Sequence, residues 1–172
     1  MSRGDPLADP APLIRKVYAY VAYRVGVGAE AEDITSDTIE RALRYRESFD
    51  QRRGDPAAWL IGIARRCIAD AALRPKDSTE EPPELLVADH ADELPERLEL
   101  RAAVAHLGER DRELVALRFG ADLTAKQIGE LLGLKTNAVE VALHRALAAL
   151  REYLETADPP VGETGWTTQR RA

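Results

Sequence analysis

Cysteine is nearly missing from this sequence. Cys67 is the only one, so no internal disulfide can form. With only three histidines, scattered as His90, His106 and His144, and no carboxylate or thiol partner at ligand spacing, a structural zinc set is excluded as well. Long apolar runs are also missing. The stretch around Val139 to Leu143 falls far short of the ~20 residues that a bilayer span needs. Met1 to Pro12 carries Asp5, Asp9 and three prolines but no apolar run, so no signal peptide is expected. Nor is there a nucleophile elbow, a phosphate-cradling glycine loop or a paired-carboxylate pattern, which leaves catalysis without support. The chain is expected to be cytoplasmic, soluble, free of metal and cofactor, and not an enzyme.

Charge is unevenly placed. Residues 1–74 hold 12 basic and 11 acidic side chains, residues 94–155 hold 9 and 10, and residues 156–172 hold 2 and 2. Residues 75–93 hold 1 basic and 7 acidic side chains, which is a net of −6 and equals the charge of the whole chain. An acidic total therefore does not exclude nucleic-acid binding, but any such contact must come from local patches. The same segment carries three prolines, Pro75, Pro82 and Pro83. It reads as an extended linker, with Leu85 to Val87 as an anchoring spot.

Upstream of the linker, Leu13, Ile14, Val17, Tyr18, Val21 and Val25 form a helical stripe that Gly26 and Gly28 end. A second helix spans about Glu30 to Tyr45. Ile34, Thr38, Ile39, Ala42 and Leu43 lie on one side, and Asp33, Asp37, Glu40, Arg41 and Arg44 on the other. Asp55 caps a third helix, with Pro56 in its first turn and an apolar face of Trp59, Leu60, Ile63, Ala64, Cys67, Ile68 and Ala71. These three make a helical bundle. Downstream, helices are expected over Leu94 to Leu107 and Asp111 to Phe119, broken near Gly108 and Gly120. Thr124 caps a short helix with Ile128, Leu131 and Leu132 inward. Gly133 turns the chain, and Thr136 caps a longer helix with Val139, Leu143, Ala146, Leu147 and Leu150 inward. Gly129 for close approach, Gly133 for the turn and Val139 as filler fit a helix-turn-helix, although a plain helical hairpin shares that spacing.

The order of these parts resembles the extracytoplasmic-function (ECF) sigma factors of bacterial RNA polymerase, over roughly residues 12–155. Ala31-Glu32-Asp33-Ile34 followed by Asp37 resembles that family's polymerase-binding helix, with Ser36 and Ile39 where glutamine and phenylalanine are usual. Phe49, Trp59-Leu60, Ile63-Ala64-Arg65 and Asp70 resemble its minus-ten reading region, with Arg66 in place of a common asparagine. Leu107 to Arg118, then Ile128, Gly133, Val139 and Leu143-His144-Arg145-Ala146, resemble its minus-thirty-five domain. The recognition helix has Glu140, Val141 and Ala142 where lysine and arginine are frequent.

The resemblance implies an all-α protein of two small helical domains joined by an acidic linker. Residues 1–11 form a disordered N-terminus, 12–74 a region-2-like domain, 75–93 the linker, 94–155 a region-4-like helix-turn-helix domain, and 156–172 a flexible tail. It implies a sigma factor that directs core RNA polymerase to promoter DNA and supports melting, with an anti-sigma protein as a further partner. Polymerase docking falls to Asp33, Ser36, Asp37, Glu40 and Arg41. Minus-ten DNA falls to Phe49, Asp50, Arg52, Arg53, Arg65 and Arg66. Minus-thirty-five DNA falls to Lys135, Thr136, Asn137, Glu140, Val141, His144 and Arg145. Glutamate can accept from cytosine N4, asparagine can pair with adenine, and valine can touch a thymine methyl. The linker would run through the polymerase's basic channels.

Plainer readings stand beside these. The acidic helix face is equally that of a solvated helix with internal ion pairs. Phe49 can pack beneath a turn, and Trp59, on its helix's apolar stripe, reads as core. The linker can be a soluble spacer. Residue patterns also leave open a stand-alone helix-turn-helix regulator, or a sigma-like interaction protein that does not read DNA.

Overall fold

The computed structural model describes residues 5–52, 54–74 and 95–157. Arg53, His90, the linker 75–93 and the tail from residue 158 onward lie outside the described residues. Those described fold entirely into helices and turns. The helices are α1 (Pro10–Val25), α2 (Ala29–Tyr45), α3 (Pro56–Leu73), α4 (Pro95–His106), α5 (Glu109–Val115), α6 (Ala125–Leu132) and α7 (Thr136–Ala157).

Helix α1 starts at Pro10, earlier than the apolar stripe suggests. Proline's fixed φ suits a first turn, where its missing N–H leaves no bond unmade. Ahead of it, Asp5 Oδ1 accepts from the Leu7 N–H at 3.0 Å, and Leu7 packs on the core. Residues 5–9 thus form a folded turn rather than part of a disordered tail. Asp55 stands at the N-cap of α3 without a side-chain cap bond. Thr124 caps α6 fully, as its hydroxyl accepts from the Gln127 N–H while Gln127 Oε1 accepts from the Thr124 N–H. Helix α7 begins at Thr136 itself, one residue earlier than a Thr136 cap would place it, and the Lys135 carbonyl accepts from the Val139 N–H at 3.1 Å.

Between α5 and α6 the chain makes a π-helical turn, Ala116–Gly120, closed by the Ala121 N–H on the Ala116 carbonyl. Arg112 closes the end of α4, donating to the Ala105 and Leu107 carbonyls at 2.6 and 2.9 Å. His106 stacks on Tyr153 with ring centroids 4.3 Å apart, a packing role.

The two helical blocks share one core. Helix α1 lies between α2 and α3 on one side and α4, α5 and the π turn on the other, while α6 lies against α3. Val17, Tyr20, Val21, Leu60, Ile61, Leu114, Leu117, Leu123, Ile128 and Val139 form a continuous buried cluster across both blocks. Tyr20 and Ile61, off the stripes read from sequence, are buried because α1 and α3 are covered on two sides. Ile14, Leu43 and Leu147, assigned inward from sequence, are exposed. Leu43 sits a further 100° round from Ala42, past the edge of the buried strip Ala31, Ile34, Thr35, Thr38 and Ala42.

Candidate functional site

On α2, packing of Ile34, Thr35 and Thr38 turns Asp33, Ser36 and Glu40 to solvent and leaves Asp37 and Arg41 half-buried. Both buried threonines donate to the carbonyl four residues back, Thr35 to Ala31 and Thr38 to Ile34, at 2.7 Å. The acidic face is laced with ion pairs. Asp37 meets Arg74 at 3.3 Å, Arg41 meets Asp70 at 2.8 Å and Glu40 meets Arg44 at 2.7 Å. The hydrogen bond to Asp70 raises the pKa of Arg41 above its ordinary value. Exposed pairs of this kind contribute little to stability, so they can be exchanged for a partner's charges at little cost. Asp33 and Ser36 are exposed and have no side-chain ion pair among the described residues.

The described residues assigned to minus-ten DNA differ in exposure and in partners. Phe49 is buried beneath its loop and tilts against Trp59, with ring centroids 5.3 Å apart. Trp59 itself is half-buried on the core. Asp50 shapes the loop, its Oδ1 accepting from the Arg52 N–H at 3.0 Å. Arg52 and Arg66 are exposed.

Arg65 goes elsewhere. Its Nε donates to Glu113 Oε1 of α5 at 2.9 Å, and the Tyr20 hydroxyl donates to the same oxygen at 3.0 Å. Arg24 pairs with both Glu113 and Glu109, and its buried Nε has no hydrogen-bond partner among the described residues. Sequence reasoning missed Tyr20, Arg24 and Glu113. The available hint was an acid, Glu113, placed directly before the apolar run Leu114 to Leu117.

Burial pushes the Tyr20 hydroxyl above its usual pKa of 10.0, while the charges of Arg24 and Arg65 pull the other way. A folded tyrosine that holds its proton longer than the unfolded one loses relative stability as pH rises past about 10, and keeps it in full below. Urea titrations across that range are expected to show stability falling with pH, and Tyr20→Phe is expected to flatten the fall. The same variant should cost about 1 kcal/mol near neutrality, through the lost hydrogen bond.

The minus-thirty-five assignment does form one surface. Gly133 takes the left-handed conformation (φ 69°) that ends α6 and turns the chain. A Cβ on Gly129 would lie 2.6 Å from the Leu134 carbonyl oxygen, so only glycine admits this turn. Val139, Leu143 and Ala146 fix α7 by burial. Lys135, Thr136, Asn137, Glu140, Val141, His144 and Arg145 are all exposed. Positions 137, 140, 141, 144 and 145 lie at helical spacing along one face.

Among the described residues no group of three or more His, Cys, Asp or Glu side chains could hold a metal ion. No helix there is long and apolar enough to cross a membrane.

Comparison with known proteins matches the Sigma-70 region 2 family model to residues 12–77 and the Sigma-70 region 4 model to residues 97–150. The ECF RNA polymerase sigma factor BldN of Streptomyces coelicolor is 34% identical over 150 residues, covering 80% of this chain and 56% of BldN. The ECF RNA polymerase sigma factor SigF of Caulobacter vibrioides is 33% identical over 147 residues, covering 83% of this chain and 82% of SigF. Among solved structures, the sigma factor RpoE from Bartonella quintana, in complex with the anti-sigma factor NepR, shares the fold with a TM-score of 0.63 at 16% identity. That match covers 86% of this chain and 94% of RpoE. With both sigma regions in order on an all-helical frame, the chain belongs to the ECF sigma factors of RNA polymerase.

Proposed function

We propose that this sigma factor divides its work between its two blocks. Asp33, Ser36, Asp37, Glu40 and Arg41 on α2 dock core polymerase. Arg52, Arg53, Arg65 and Arg66, with Asp50 and Phe49 shaping the loop, hold the melted minus-ten strand. The α7 face from Lys135 to Arg145 enters the minus-thirty-five major groove. The observation that carries the reading is that face, a continuous exposed strip of hydrogen-bonding and cationic side chains on the second helix of a helix-turn-helix. Phe49, being packed on Trp59, supports the loop from below rather than receiving a base. An anti-sigma protein is a fitting regulator, since the Bartonella relative is seen with one. The protein acts in the cytoplasm and performs no catalysis of its own.

Promoter-dependent run-off transcription with purified core polymerase tests the reading. Specific transcripts that need this chain are the expected result. Binding to core polymerase with no specific transcript would favour a sigma-like interaction protein instead.

A further inference from the structure

We propose that the groove between α1 and α4 binds an amphipathic carboxylic acid, an apolar body carrying a single carboxylate. This site stands apart from the docking and DNA-reading roles proposed above, since none of their residues lines the groove.

Tyr18, Ala22 and Tyr23 wall the groove on the α1 side, and Leu100 and Val104 wall it on the α4 side. Gly26 and Val27, just past the end of α1, also line it. Its volume of about 530 Å³ lies within the ~300–1,000 Å³ usual for small-molecule sites. Leu100 is 42% exposed there, so apolar surface is left that the body of a ligand would remove from water.

The described lining residues also include three arginines, Arg24, Arg101 and Arg112, and no aspartate or glutamate. Among the described residues, Arg112 is held by backbone alone. It donates to the Val104, Ala105 and Leu107 carbonyls, which orient the guanidinium without cancelling its charge. Arg24 directs its terminal nitrogens to Glu109 and Glu113, while its buried Nε has no hydrogen-bond partner among the described residues. A buried donor without an acceptor carries its full desolvation cost, and a ligand oxygen would relieve it.

Apolar walls and acid-free arginines together select the ligand class. A purely apolar molecule would leave the arginines without a counter-charge, and a small inorganic anion would leave the walls wet. A guanidinium holds a carboxylate through charge-assisted, often bidentate hydrogen bonds. A medium-chain fatty acid or an arylalkanoic acid of similar length meets both demands.

Decanoate, phenylbutyrate, decanol and acetate, each titrated calorimetrically into the full-length chain, test the assignment. One saturable site for decanoate or phenylbutyrate is the expected result, and the tighter of the two tells an alkyl from an aryl body. Decanol lacks the charge and acetate lacks the body, so each should bind roughly tenfold more weakly or worse. Leu100→Glu sets a carboxylate beside the arginines at an exposed position and should weaken the acid by a similar factor. Leu147→Glu, exposed on α7 and away from the groove, should leave the affinity unchanged. Circular dichroism checks that both variants fold. If Leu100→Glu does not, methyl NMR of the parent chain reads the same site, through shifts at Leu100 and Val104 on titration. No saturable binding overturns the proposal, as does equal affinity for decanol, equal affinity in a folded Leu100→Glu variant, or shifts confined to methyls outside the groove. Contacts from Val104 to residues 85–87 or to Trp166 in the ligand-free chain would give the groove to the protein's own linker or tail, and overturn it too.

Discussion

Asp33→Arg combined with Asp37→Arg is expected to abolish binding of core RNA polymerase while leaving the fold intact. Both side chains lie outside the buried strip of Ile34, Thr35 and Thr38, so reversal leaves the core in place. Asp33 is exposed, and Asp37 has only Arg74, at 3.3 Å, as a salt-bridge partner among the described residues. Losing that exposed pair costs at most ~1 kcal/mol of stability. At a docked interface the same reversal sets arginines against a surface selected for acids, and like-charge juxtaposition there costs several kcal/mol. A loss of binding by at least a hundredfold follows, since each 1.4 kcal/mol is tenfold. Co-purification with core polymerase, paired with thermal melting, reads both quantities. Full co-purification by a normally melting double variant would remove polymerase docking from α2.

The ion pairs on that face show where sequence reading reached its limit. Periodicity divided α2 into an apolar side and a charged side, failing only at exposed Leu43 and buried Thr35, because a 100° step per residue determines which positions share a face. Periodicity cannot name partners from another helix. Asp70 and Arg74 on α3 reach Arg41 and Asp37 only once α2 and α3 have packed. The helix-turn-helix was far more legible, because its determinants are local. A capping pair three residues apart, a left-handed glycine and a small residue under the turn all act within ten positions. Arg65 marks the opposite extreme. Its partner Glu113 lies 48 residues away across the linker, and no local pattern encodes a contact between blocks. Apolar stripes failed at Tyr20 and Ile61 for the same reason, as a helix covered on two sides has no polar face to betray it.

Glu140→Lys is expected to raise nonspecific DNA affinity and erase preference at a single minus-thirty-five base pair. The exposed reading face supplies few cations, Lys135 just before α7 and Arg145 on it, with Arg151 further along the helix. One more lysine there adds a phosphate neutralised, which strengthens binding to any duplex and steepens its salt dependence by about one unit of log–log slope. Specificity moves the other way. A glutamate reading cytosine through its N4 donor is worth ~1–3 kcal/mol of discrimination, roughly 5- to 150-fold. The alternative is that Glu140 merely pairs along the helix with His144 or Arg145. Glu140 is exposed, and among the described residues no ion pair ties it to either. Its carboxylate is therefore free to face a base. Titrations of parent and variant against promoter fragments changed one base pair at a time, at two salt concentrations, separate the two effects. An unchanged preference profile, with affinity raised uniformly, would leave base reading to Asn137 and Val141 and reduce Glu140 to a charge on the rim.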